Sequence, residues 1–298
     1  MRRQRTVAIV GAGRVGQSLA RRLRELGWQV GAVVTRSGST ARTAVRKIGA
    51  GTPYGSLTHQ ILGADVVLIT TPDDALRQIA LSLARMGGEE WRRKVVLHTS
   101  GANDRTVLSP LQKLGACTGS IHPLQTFSGK DAPELDGVVF AIEGDKVARA
   151  MAKSICRTLG GIPISIRGAD KVSYHAAATL VAGSALGIVE AATRILMRIG
   201  FTRRHAVRSL LPLMRKMLLN FERLGPSGAW TGPLSRDDNE TIARHAQALG
   251  AISPQYRAAY LTLNSLSIEV LGASKRIQKN PDQNARAAPK SNGAKKIA

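Results

Sequence analysis

Up to about Arg167, short β-branched runs alternate with stretches in which apolar residues return every three or four positions. The runs predict strands at Val7–Val10, Val30–Val34, Val66–Thr70, Val95–His98, Thr118–Ile121, Val138–Ile142 and Ile162–Ile166, with a weaker one near Pro53 and Tyr54. The last two flank a helical stretch near Lys146 to Leu159. Strand-helix-strand repetition predicts an α/β fold, an open doubly wound Rossmann-type parallel sheet with ligands outside the carboxyl ends of its strands.

After Gly168 the two-residue alternation gives way to a helical period from Asp170 to about Leu271, with breaks predicted at Gly200, Pro212, Gly225–Gly228 and Pro254. The reading is a Rossmann domain over 1–168, a smaller all-α domain over 169–274, and a disordered tail over 275–298. Small residues at Ala178, Ala182, Gly183 and Gly187 allow close helix packing, as in a core or a dimer seam. In the tail Asn, Gln, Lys, Ala and Pro replace the apolar period, so nothing is left to bury.

Composition adds charge to this picture. The 298 residues hold 43 Lys and Arg against 20 Asp and Glu, a formal +23, which attracts polyanions without choosing among them. Seven of the cations lie beyond residue 274 with one acid, Asp282. Aromatics make up only 4% and do not interleave with the basic clusters, which argues against specific nucleic-acid binding. Cys117 and Cys156 belong to no C-x-x-C or Cys/His cluster, so neither a disulfide framework nor a metal site is expected. The start runs into a strand and a glycine turn without an apolar leader, and Val172–Val189 reads as too polar and too short for a bilayer. The expected compartment is cytoplasmic, with no membrane partner.

The strongest motif is V-A-I-V-G-A-G-R-V-G over Val7–Gly16, which follows a strand and opens a helix. Gly11 is read as the tight turn, Gly13 as the position where a phosphate approaches, and Gly16 as the close helix-strand contact. Ala12, Arg14 and Val15 supply backbone N–H groups between and after them. An acid would end the second strand if NAD were preferred; here the chain reads Thr35, Arg36, Ser37, a guanidinium with hydroxyls suited to a 2′-phosphate, so NADP is predicted.

Three more segments end strands and are expected to line the cleft. Thr70, Thr71 and Pro72 are placed at the nicotinamide half of the cofactor. Thr99 and Ser100 offer hydroxyls, and His122, followed by Pro123 and Gln125, offers an imidazole near neutral pH.

Five motifs in order give the chain a family resemblance: the glycine fingerprint, Thr-Arg-Ser, I-H-P-L-Q-T-F, Tyr174-His175-Ala176-Ala177-Ala178, and Thr231-Gly232-Pro233-Leu234-Ser235-Arg236. Over roughly residues 5 to 272 the chain resembles a bacterial family that pairs a Rossmann-like domain with a C-terminal domain of unknown function. That family is regarded as NADP-dependent oxidoreductases akin to pyrroline-5-carboxylate reductase, ketopantoate reductase and prephenate dehydrogenase. The resemblance implies hydride transfer with a small anionic carbonyl, imine or alcohol substrate between the domains. His122 is then the proton carrier and His175 its rival. Ser100, the third catalytic candidate, and Thr99 hydrogen-bond the reacting oxygen or a substrate carboxylate, Gln125 binds substrate, Arg236 clamps its anionic group, and a homodimer forms through the helical domain. Prephenate dehydrogenases place a similar His-Pro pair against substrate. Hydroxyisobutyrate dehydrogenases put a catalytic lysine where this chain has Tyr174 and His175, with Lys171 one turn earlier, and Asp237 replaces the glycine usual after Arg236. The alternative expectation is an NADP-binding sensor or partner-binding protein without turnover.

Overall fold

The structure, a computed structural model, describes residues 4–128 and 133–279. All eight expected strands form: β1 (Thr6–Val10), β2 (Gln29–Val34), β3 (Thr52–Tyr54), β4 (Val66–Ile69), β5 (Val95–His98), β6 (Cys117–Pro123), β7 (Val139–Gly144) and β8 (Ile162–Ser165). They make one sheet in the order β3-β2-β1-β4-β5-β6-β7-β8. Alternation along each strand feeds two cores. Val7 and Ile9 of β1, with Val66 and Leu68 of β4, enter one; Ala8 and Val10, with Val67 and Ile69, enter the other. Both faces are therefore covered, which is why these strands read as unbroken apolar runs.

Helices α1 (Arg14–Glu25), α2 (Gly38–Ile48), α3 (Leu76–Gly87), the short α4 (Ser109–Gln112) and α5 (Lys146–Thr158) connect the strands. One feature departs from the expected all-parallel sheet: β7 runs antiparallel to β6, with His122 opposite Ala141, and β8 is parallel to β7. The described part of the β6–β7 connection, 124–128 and 133–138, contains no helix to return the chain along the sheet. The strand accordingly comes back antiparallel.

The chain divides into two compact units, Met1–Ala185 and Leu186–Ala298, where the sequence placed a boundary at 168/169. The first unit thus keeps α6 (Lys171–Thr179) and a π-helical turn, Leu180–Ser184, that runs into α7 (Ala185–Arg198). By length and composition the continuous helix Gly168–Arg198 could cross a membrane, with a mean hydropathy of 1.5 over its most apolar window and 6% of that window buried. The sequence reading judged only Val172–Val189, a shorter piece of it.

In the second unit follow α8 (Arg203–Ala229), α9 (Asn239–Ile252) and α10 (Pro254–Lys279). Gly200 and Pro254 separate helices as expected. Pro212 does not, since α8 passes through it and bends only at Gly225, φ +67°. Helix α10 reaches Lys279, past the expected start of the tail, and residues 280–298 lie outside the described residues.

Candidate functional site

The carboxyl ends of β1, β4, β5 and β6 lie side by side, because Val10 pairs with Ile69, Ile69 with His98, and His98 with Ser120. At the first of them the three glycines have three separate jobs. Gly11 sits at φ +90°, and a Cβ there would also meet Thr71 Cγ2 at 2.5 Å. Gly16 is buried against β4, where a Cβ would strike Thr70 Oγ1, whose hydroxyl donates to Gly11 O at 2.6 Å. Gly13 is different: it is exposed, and the atom nearest to an added Cβ is 4.0 Å away. It is also the N-cap of α1 and supplies no side chain to the N–H groups of the first turn. Ala12 is buried beneath the turn, while Arg14 is exposed and Val15 half-buried. An open glycine at an uncapped helix start fits a pyrophosphate. Thr71 Oγ1, buried beside Gly11 without a hydrogen-bond partner, is a further polar atom that the protein leaves unsatisfied.

At the end of β2, Thr35 Oγ1 donates to Ser37 O at 2.9 Å, and Ser37 Oγ caps α2 by accepting from Thr40 N at 3.3 Å. Arg36 is exposed. Arg42, which sequence reasoning missed, returns its guanidinium to the start of α2, since a Cβ on Gly38 would lie 3.3 Å from its Nη1. Its spacing of four residues from Gly38 on a helix was the available signal.

After β5 the chain makes a turn that uses the whole Ser100 hydroxyl. Oγ donates to Asp73 Oδ2 at 2.9 Å and accepts from Asn103 N at 2.9 Å and Ala102 N at 3.2 Å. Expected to face substrate, this hydroxyl is instead engaged by protein. Thr99 N donates to Ile69 O, and Pro72 is exposed just before the turn that leads to α3. His98, fully buried, accepts from Ser100 N at Nδ1 (3.2 Å) and stands 3.1 Å by Nε2 from Asp104 O. Burial first, then the charge of Lys171, push its pKa down to about 3.

Lys171, placed by the sequence one turn before Tyr174 and His175, was assigned no role there. It is fully buried, and its ammonium donates to Ser100 O and Ser120 Oγ, each at 2.8 Å. Burial lowers its pKa to about 8, while Glu143, Asp104 and Asp73 act the other way. One turn further along α6, Tyr174 OH lies 2.9 Å from His122 Nδ1, and the rings of His122 and His175 meet edge to face, 5.8 Å between centroids. Burial, followed by Lys171 and His175, holds His122 at about 4; burial raises Tyr174 to about 12. His122 is therefore a neutral imidazole backed by a phenol at neutral pH. Gly101 is buried against both histidines: an added Cβ would strike His175 Cδ2 and come 2.9 Å from His122 Nε2.

His122, Tyr174 and His175 line a cavity of about 700 Å³ together with Leu124, Thr126 and the helix from Ala177 to Gly183. Gln125 is exposed and also lines it, with Oε1 accepting from Thr126 N at 2.8 Å. Arg236, exposed at the end of a short 3₁₀ turn before α9, belongs to the second unit. Asp237, next to it, adopts the left-handed conformation at φ +58°.

Comparisons with known proteins agree with this architecture. Residues 1–123 match the family model of a Rossmann-like domain, and residues 138–266 match that of a domain of unknown function, DUF2520. The second match begins inside the sheet, at β7, rather than at the first long helix. Among solved structures, the "putative NADP oxidoreductase BF3122" of Bacteroides fragilis is 23% identical with a TM-score of 0.73, over 89% of this chain and 98% of its own. Protein TM1727 of Thermotoga maritima is 23% identical with a TM-score of 0.69, over 90% and 99%. Pyrroline-5-carboxylate reductase of Streptococcus pyogenes is 13% identical with a TM-score of 0.58, over 90% and 98%. No curated protein matches the sequence. At these identities the likeness is one of fold.

Proposed function

Proceeding from a chain that joins a Rossmann-like domain to a DUF2520 domain, we propose an NADP-dependent oxidoreductase acting on a carbonyl, imine or alcohol. The observation that carries this reading is the open Gly13 cradle on the same sheet edge as the His122–Tyr174–His175 cluster. Backbone N–H groups of Arg14, Val15 and Gly16 would hold the pyrophosphate, and Arg36, Arg42 and the hydroxyls of Thr35 and Ser37 the 2′-phosphate. When bound, the nicotinamide supplies or accepts a hydride. The protein's own part is orientation and proton handling.

A base held near 4 is poorly matched to proton exchange at neutral pH. His122 therefore serves as a neutral hydrogen-bonding group to the reacting oxygen or nitrogen. With the Tyr174 phenol donating to Nδ1, the ring proton sits on Nε2, the nitrogen nearest Gly101. His175, lining the same cavity, exchanges the proton, which reverses the roles expected from sequence. Ser100 and Thr99 shape the turn beneath, and Gln125 is the remaining amide available to substrate.

The test has two parts. By calorimetry NADPH should bind more tightly than NADH, and Arg36→Asp should remove most of that difference, a charge-assisted contact of about 1.5 to 3 kcal/mol. Carbonyl compounds and alcohols screened by NADPH absorbance should then yield a substrate, for which His175→Gln slows turnover ~100-fold. Equal cofactor affinities would overturn the NADP assignment, and no turnover with any compound would favour a sensor.

We also infer that the second unit dimerises. Leu213, Leu218, Phe221, Leu224 and Ile268 are each more than half exposed, more apolar surface than a helical unit in water needs. Sedimentation should give a dimer mass, and Leu213→Glu with Phe221→Glu a monomer.

A further inference from the structure

The cavity beside His122 lies wholly within the first unit, and its lining restricts what can occupy it. In a chain with an excess of 23 positive charges, none of its twelve lining residues is Lys, Arg, Asp or Glu. The nearest cation on the helix, Lys171, is fully buried, its ammonium directed to Ser100 O and Ser120 Oγ. A carboxylate entering here would give up water and meet no cation from the lining, an unfavourable exchange.

Leu124 and the uncharged polar residues Gln125, Thr126 and Thr179 also line the cavity, and the rest of the wall is small and apolar. Ala177, Ala178, Val181, Ala182 and Gly183 recur on one side of the helix and leave width for a ring or a branched chain. Leu124 and Val181 at the rim are 44% and 76% exposed, surface that an apolar ligand would cover. The ring-bearing polar groups gather around His122, which is in ring contact with both Tyr174 and His175. An apolar pocket of this volume with a few convergent polar groups is the form of a small-molecule site.

We infer that the substrate is an uncharged, mainly apolar ketone, imine or secondary alcohol, its reacting group at His122 and its hydrocarbon bulk along Ala177–Gly183. This rests on the oxidoreductase reading and replaces the anionic substrate that the family resemblance implied. Among the described residues of the cavity, selectivity comes from the absence of a cation as much as from the apolar wall.

A matched pair tests it: 4-phenyl-2-butanone and 4-phenyl-2-oxobutanoate, which differ by a methyl group in place of a carboxylate. Binding is measured by ligand-observed NMR and calorimetry in the presence of NADP+, so that no reduction occurs. The ketone should bind at least 10-fold more tightly and shift the ring signals of His122 and His175. Ala182→Trp should weaken the ketone at least 10-fold while the melting temperature and NADPH affinity stay unchanged. Val181→Arg, at an exposed position, should turn the preference toward the keto acid. Equal or tighter binding of the keto acid by the unmodified protein, or binding of neither compound, overturns the inference. So does undiminished ketone affinity in Ala182→Trp. A ketone that binds here but is not reduced by NADPH defeats the oxidoreductase reading and leaves the pocket assignment standing; reduction of the keto acid without ketone binding does the opposite.

Discussion

At the scale of single residues, Gly13 and Gly16 have the same chemistry and opposite surroundings. A methyl group on Gly13 meets nothing closer than 4.0 Å, whereas on Gly16 it meets Thr70 Oγ1 and, at 3.2 Å, Gly11 O and Ile9 Cγ2. Gly13→Ala should therefore keep the melting temperature within about 2 °C yet weaken NADPH at least ~10-fold, since only a bound phosphate needs that space. Gly16→Ala should lower stability by about 1 to 3 kcal/mol, an overpacking cost visible without any ligand. Thermal scans with and without NADPH separate the two. Gly101→Ala belongs with Gly16 in packing and with His122 in function: it should displace both imidazoles, seen as shifted histidine ring signals. The roles of Gly11, Gly13 and Gly16 were legible in the sequence because strand, turn and helix fix them locally. Lys171 was not. A lysine at a helix start reads as solvated, and its burial depends on Ser100 and Ser120, which are 71 and 51 residues away.

At the scale of elements, that same lysine fastens α6 to the sheet. Its ammonium links the turn after β5 to β6, and with α6 so anchored Tyr174 and His175, three and four positions on, face His122. Lys171→Met should cost about 3 kcal/mol, because it leaves Ser120 Oγ and Ser100 O without their donor and Glu143 with Arg105 as its remaining nearby cation. Urea unfolding measures this, and Tyr174→Phe, which removes one half-buried hydroxyl, should cost about 1 kcal/mol. Loss of histidine ring contact in Lys171→Met but not in Tyr174→Phe would show that the lysine sets the helix and the phenol only the imidazole. The strands themselves were legible nearly to the residue, since apolar runs buried on both faces leave little ambiguity. The reversal of β7 was not, because strand direction depends on how the chain returns. The π-helical turn at Leu180–Ser184 likewise left no periodic sign strong enough to read.

At the scale of the whole molecule, the buried titratable groups under the site make stability depend on pH. His98 and His122 have pKa values pushed down to about 3 and 4, against 6.5 when exposed in the unfolded chain. Between about 6.5 and 4 the unfolded chain therefore binds protons that the folded protein refuses, and stability falls as pH falls. Above 6.5 both states carry neutral imidazoles and the full contribution is present. Lys171 works in the same sense on the alkaline side, its folded pKa near 8 lying below the ordinary 10.5, so its own contribution grows as pH rises through that window. Each group titrating only in the unfolded state takes ~1.4 kcal/mol per pH unit, or about 3 to 6 °C in melting temperature for a domain of this size. Carboxylates contribute to acid unfolding as well, so the measurement is a difference. His98→Gln preserves a donor and an acceptor but has no proton to gain, and its melting temperature should fall less steeply than that of the unmodified protein between pH 6.5 and 4.5. His122→Gln should do the same over pH 6.5 to 5. Parallel curves for all three proteins would mean that neither imidazole is held neutral by the fold, and the assignment of His122 as a neutral hydrogen-bonding group would go with it.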